Sequence, residues 1–170
     1  MFDVIKESDM SFISENTFQI EKSEVYSRLE EGIKTVEFIR AMDDNLLFIE
    51  AKTAFPNPNN PDADNVERFH SEVGAICDKF VHSLNLLSAI EVGVLHDAGV
   101  GNMAIPEKVS VAFLLIIKNH EDTWCKPIEV KLIASLPNYL KKIWKPKVQV
   151  INHMTAIKQN LAISLPTPPR

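Results

Sequence analysis

Glu37, Glu50 and Lys52 are the residues of this 170-residue chain whose types and spacing point most directly to chemistry. Two carboxylates and an ammonium on touching strands can hold a divalent cation and activate a water against a phosphate ester. Glu50 and Lys52 flank Ala51 in the run Ile49-Glu50-Ala51-Lys52. Side chains alternate faces along a strand, so Glu50 and Lys52 point together, while Ala51 points away and leaves its carbonyl oxygen at the strand edge. Mg²⁺ prefers oxygen ligands and retains waters, so Glu37, Glu50 and the Ala51 carbonyl would make a partial shell. Lys52 would then ease formation of hydroxide or stabilise charge developing on a phosphate.

A β-hairpin has to position these groups. Residues 35–42 and 46–54 are rich in β-branched and large apolar side chains and flank Asp43-Asp44-Asn45, which favour turns. Apolar residues occupy both parities of each arm, as expected of strands covered on both faces. The turn length decides the site. A loop of two residues at Asp43-Asp44, or of four from Met42 to Asn45, puts Glu37 opposite Glu50; three residues send Glu37 to the other face. Asp44 is a fallback first acid, although a turn aspartate commonly serves backbone preferences.

The remaining elements follow from pattern and punctuation. Residues 17–20 suggest a first strand, Ser23 caps a short helix to about Glu31, and Gly32 suits a left-handed stop. Three prolines between Phe55 and Asp62 make a loop directly after Lys52. From Asp64 or Asn65 as cap, Val66, Phe69, Val73, Ile76, Phe80, Leu84 and Leu87 recur every three or four positions and define the stripe of one long helix. Residues 91–106 are irregular and 109–118 form an apolar strand. A helix from Pro127 to about Ala134, a second helical turn to Trp144, a strand at 148–151 and a short helix to Leu161 complete the pattern. Strand, helical crossover and strand between 109 and 151 predict a parallel pair. Residues 1–163 read as one α/β domain with a mixed sheet and a central hairpin flanked by helices; residues 164–170 read as a disordered tail.

Composition sets bounds. A 45% hydrophobic content over this length supports one core without staples. Cys77 and Cys125 have no ligand-like spacing and read as buried thiols. The start of the chain lacks a leader pattern and the longest apolar run, 111–117, is too short for a membrane span, so a cytoplasmic protein without a membrane partner is expected. A net charge of −5 counts against a strongly basic nucleic-acid surface. The local exception is Lys141, Lys142, Lys145 and Lys147 around Trp144, which reads either as a track for a nucleic-acid backbone or as a helix C-terminus complementing the macrodipole. His96-Asp97 reads as loop chemistry, and His70 and Glu72 as a solvated helix face.

The strand ending in Ile49-Glu50-Ala51-Lys52, with an acid on the neighbouring strand and a helix before it, resembles the PD-(D/E)xK nuclease superfamily. The resemblance covers residues 23–87 and implies a restriction-endonuclease-like fold and a Mg²⁺ site for phosphodiester hydrolysis. It carries Glu50 and Lys52 onto the ExK positions and Glu37 onto the first acid, with Glu30 or Glu31 as the helix acid. The run IEAKTAFPNP is also similar to uncharacterised bacterial or phage-associated proteins of this length. Two functions are therefore expected to compete: a metal-dependent nuclease acting on nucleic acid, and a non-enzymatic interaction module whose hairpin acids pair internally.

Overall fold

Residues 3–29 and 31–164 are described by a computed structural model of the chain. In chain order the elements are β1 (Val4–Glu7), β2 (Met10–Ile13), β3 (Thr17–Phe18), α1 (Glu24–Leu29), β4 (Phe38–Met42), β5 (Asn45–Lys52) and α2 (Ala63–Glu91), then β6 (Ser110–Ile117), α3 (Asp122–Ser135), α4 (Asn138–Ile143), β7 (Lys147–Asn152), α5 (His153–Lys158) and β8 (Ala162–Ile163). Short 3₁₀ turns cover Ile20–Lys22 and Ala98–Asn102.

The central sheet has the order β3-β4-β5-β6-β7, with β3, β4 and β5 antiparallel and β5, β6 and β7 parallel. Parallel neighbours need a crossover, which α2 supplies between β5 and β6, and α3 with α4 between β6 and β7. The fold is thus the expected mixed α/β sheet around a hairpin. Both sheet faces are covered, which explains the mixed parity of the hairpin arms. Leu46 and Phe48 of β5 face Ile76, Phe80 and Leu84 of α2. Ile49 and Ala51 face the opposite way, toward Phe12 of β2 and Ala156 of α5.

Local chemistry explains several boundaries. Ser23 Oγ accepts from the Tyr26 amide at 3.2 Å and starts α1, and Gly32 (φ 77°) takes the left-handed stop. Asp62, not Asp64 or Asn65, caps α2, its carboxylate accepting from the amides of both those residues. Val66, expected in the apolar stripe, is 39% exposed, and the buried part of the stripe begins at Val73. α2 has the length and apolar content of a membrane span, yet half of that apolar window is buried in the fold, as befits a core helix.

Three expectations are corrected. The N-terminal segment holds a hairpin, β1 and β2, whose turn residues Ser8 and Asp9 have φ of 49° and 57°. It lacks the Asn-Gly signature that makes such turns visible in sequence. Residues 159–163 do not extend the last helix: Asn160 takes φ 57° and β8 pairs with β2, a partner about 150 residues away in sequence. Helix α3 begins at Asp122 and carries Pro127 in its interior, forfeiting the bond Pro127 would have made to the carbonyl four residues back. The predicted tail lies outside the described residues apart from Ser164. Cys77 and Cys125 are free and buried, and burial pushes both thiols up to about 11, so neither is a ready nucleophile.

Candidate functional site

The hairpin turn has two residues. Met42 pairs with Asn45, and Asp43 (φ 53°) with Asp44 makes the connection. Pairing runs to Phe38 opposite Ile49 and ends there, so Glu37 stands one residue beyond the ladder, near enough to Glu50 for the Glu50 charge to act on it. Because β4 starts only at Phe38, the end of β5 has no antiparallel partner, and the β1–β2 turn fills that place. Ser8 Oγ donates to the Ala51 carbonyl at 2.9 Å. The carbonyl expected at a free strand edge therefore already has a donor.

Glu50 is completely buried. Its Oε1 accepts from Lys79 Nζ of α2 at 2.7 Å, whereas its Oε2 has no donor. Burial pushes the Glu50 carboxyl above the usual carboxylate range, opposed by the Lys79 and Lys52 charges. Burial likewise works against the Lys79 ammonium, but the carboxylates of Glu50, Glu37 and Glu21 outweigh it and raise its pKa. Two residues further along β5, Lys52 Nζ lies 3.4 Å from Glu72 of α2. Glu50–Lys79 and Lys52–Glu72 are oppositely oriented pairs linking one strand to one helix. Glu72, expected on a solvated face, is thus a partner of Lys52.

Lys52 is not sealed. With about a third of its side chain exposed, it lines a notch of about 220 Å³ with Phe55, Pro56, Asn65, Arg68 and Glu72. The notch lies beside the proline-rich loop, as the sequence suggests. The acids, in contrast, lie deeper.

Glu37 belongs to a group that sequence did not reveal. Its carboxylate, that of Glu7 at the end of β1 and that of Glu21 in the Ile20–Lys22 turn offer oxygens all within 4.8 Å of one another. Glu37 Oε2 is buried without a donor. Burial pushes the Glu37 carboxyl up to about 9, helped by a hydrogen bond shared with Glu21 and by the charges of Glu50, Glu21 and Glu7.

The sign of the pH dependence follows. A carboxyl whose pKa rises on folding binds a proton in the native state that the unfolded chain has released, so its contribution is full below about 4.5 and is lost as pH rises toward about 9. In chelator, the melting temperature of the wild type is expected to fall more between pH 5 and 9 than that of Glu37→Gln. Equal slopes for the two proteins would refute the assignment.

Other expected residues lie elsewhere. Lys141 and Lys142 close α4, as cations do at a helix C-terminus, and Lys141 Nζ donates to the Ile133 carbonyl. Trp144 is 41% exposed over an apolar cavity of about 390 Å³ that Leu84, Leu87 and Val111 also line. Lys147 aligns with Ala112 of β6, and Ala112 with Leu47 of β5, five residues before Lys52. At about 3.3 Å per residue, Lys147 sits roughly 16 Å back along the strands from Lys52. Asp44 is exposed in the turn and Glu31 follows α1 in the open, while Glu30 lies outside the described residues. Asp97 accepts from the amides of Val25 and Gly99, a loop-fixing role.

Lys79, Glu7 and Glu21 were not legible as site residues. Lys79 offered one signal, a charge set between stripe residues Ile76 and Phe80. No family model matches the chain, and neither a curated protein nor a solved structure proves significantly similar to it.

Proposed function

We propose that the protein is a Mg²⁺-dependent hydrolase of nucleic-acid phosphodiesters, with a restriction-endonuclease-like arrangement of hairpin, long helix and parallel strand. The observation that carries this reading is that Glu37 and Glu50, near enough for the Glu50 charge to act on Glu37, each have a buried oxygen that has no donor. Orphaned carboxylate oxygens suit a hard cation. Glu37, Glu50 and the Ala51 carbonyl would hold it. When bound, such an ion polarises a phosphoryl oxygen and lowers the pKa of a coordinated water. Lys79 opposes the burial that raises the Glu50 pKa and fixes its carboxylate in orientation. Lys52, in the open notch, neutralises charge on the phosphoryl group, and Arg68 shares that notch. The setting is cytoplasmic in this reading.

A second reading is favoured by one specific observation. Glu50 is fully buried against Lys79, and Lys52 has a partner in Glu72, so each of the two charges on β5 has a counter-ion on the helix. In that case the charges set the helix register and the protein is an interaction module without catalysis.

Incubation of the purified chain with plasmid DNA and with single- and double-stranded DNA and RNA oligonucleotides, in Mg²⁺ or Mn²⁺, decides between them. Cleavage by the wild type that falls about 100-fold or more in Lys52→Ala supports the hydrolase. A wild type inert on every substrate with both metals leaves the interaction module.

A further inference from the structure

We infer that the apolar cavity at Trp144 binds a hydrophobic amine, an organic cation of the alkylammonium type, with its apolar body between α2 and the parallel strands and its charge at Glu91. The cavity encloses about 390 Å³, within the usual range for small-molecule sites. Leu46 of β5, Val111 of β6, Leu84 and Leu87 of α2 and Ile105 are among its walls. Walls of that kind give water no hydrogen-bond partners and suit an apolar body instead. The site is separate from the notch of the hydrolase reading. Leu46 lies six residues before Lys52 on β5, roughly 20 Å away at about 3.3 Å per residue.

Charge selects among apolar ligands. Among the described residues that line the cavity, Glu91 is the one that carries a charge; no lysine or arginine is there. Glu91 takes part in none of the ion pairs of the described residues. It also ends α2, a helix of 29 residues whose last turn has no basic side chain, so the negative end of the helix dipole adds to the acid without a cation to offset it. The other polar side chain of the lining, Ser88, spends its hydroxyl on the Leu84 carbonyl. Two lysines close to Trp144 in sequence are engaged elsewhere: Lys141 donates to the Ile133 carbonyl, and Lys147 lines a cleft with Leu47 and Leu114 on the opposite face of the sheet. Trp144 itself, 41% exposed, lines the cavity with Glu91, and the face of an indole attracts an ammonium. An amine would use walls, acid and indole together. A neutral alcohol would use the walls alone, and a carboxylate would meet repulsion from Glu91 and the helix end.

Calorimetric titration of the full-length chain with octylammonium, 1-octanol and octanoate tests the site without reference to cleavage. Fluorescence of a Trp124→Phe variant, in which Trp144 is the remaining tryptophan, reports where the ligand sits. The expected result is saturable binding of octylammonium that changes the Trp144 emission and is at least about threefold tighter than that of octanol, with octanoate weakest. Glu91→Gln, a change at an exposed side chain, should bring octylammonium to within about twofold of octanol and leave octanol unmoved. Ser88→Trp, which fills the cavity, should abolish binding of both. Melting temperatures confirm that each variant is folded, and Glu91→Gln still reports if Ser88→Trp is not. Absence of saturable octylammonium binding in the wild type overturns the inference, as does octanol or octanoate binding as tightly as the amine, or an amine affinity indifferent to Glu91→Gln. A chain that sediments as a dimer at the titration concentrations, with Trp144 already shielded from a soluble quencher before any amine is added, also overturns it, since a second copy then fills the cavity.

Discussion

Lys79→Ala is expected to lower the unfolding free energy by about 3–5 kcal/mol, because it strands a buried carboxylate without its counter-ion. Glu50 has no exposure through which water could replace the ammonium, and its second oxygen already lacks a donor. The protein would respond by protonating Glu50, whose pKa burial already raises, so the loss should grow with pH above the carboxylate range. Denaturant titration at pH 5 and pH 8 reads both effects. The double variant Glu50→Leu with Lys79→Met is the informative control: removing both charges together restores most of the stability, since an apolar pair can match or exceed a buried ion pair. A loss below about 1 kcal/mol in Lys79→Ala would mean that water reaches Glu50 and that the pair is not sealed. The same result bears on function, because a Glu50 open to water is a more accessible ligand than the one described above.

The second large effect lies in the core that holds α2 to the sheet. Phe113 of β6 is fully buried, stacks on Phe80 of α2 with centroids 4.6 Å apart and meets Phe48 of β5 edge-on at 5.7 Å. It is the place where both parallel strands and the crossover helix touch one aromatic cluster. Phe113→Ala therefore removes the transfer term and leaves a cavity between layers that cannot collapse, for an expected loss of about 3–5 kcal/mol. Phe113→Leu keeps most of the volume and should cost less than about 1.5 kcal/mol. Guanidinium titration of the two variants checks the ordering, and similar midpoints for both would show that the layer relaxes around the gap. Since α2 carries both Lys79 and Glu72, a loosened Phe113 contact also predicts weaker alignment of the charge pairs along β5.

Much of the architecture was written locally in the chain. The stripe from Val73 to Leu87, the cap at Ser23, the proline-rich break after Lys52 and the apolar run before Lys118 are signals carried by neighbours in sequence, and each corresponds to an element or boundary. Local chemistry also narrowed the hairpin to a choice of turn lengths. Alternation on a strand then made Glu50 and Lys52 share a face whatever the rest of the fold did. The turn length itself was a tertiary decision, since Asp43-Asp44-Asn45 allows two, three or four residues, and burial of Phe38 and Ile49 on one face with Ile39 and Phe48 on the other selects two.

What sequence alone determined, then, is a mixed α/β domain in which an acid and an amine sit two residues apart on a covered strand. Only the tertiary structure decided what those charges meet. Lys79 reaches Glu50 from 29 positions away, and Glu7 and Glu21 come to Glu37 from a hairpin and a turn that precede it in the chain. The physical reason is that periodicity and propensity act over one or two turns of chain, whereas a carboxylate's partner is chosen by the layer packed above it. That layer is assembled by burial of apolar surface, which is blind to which charges it carries along.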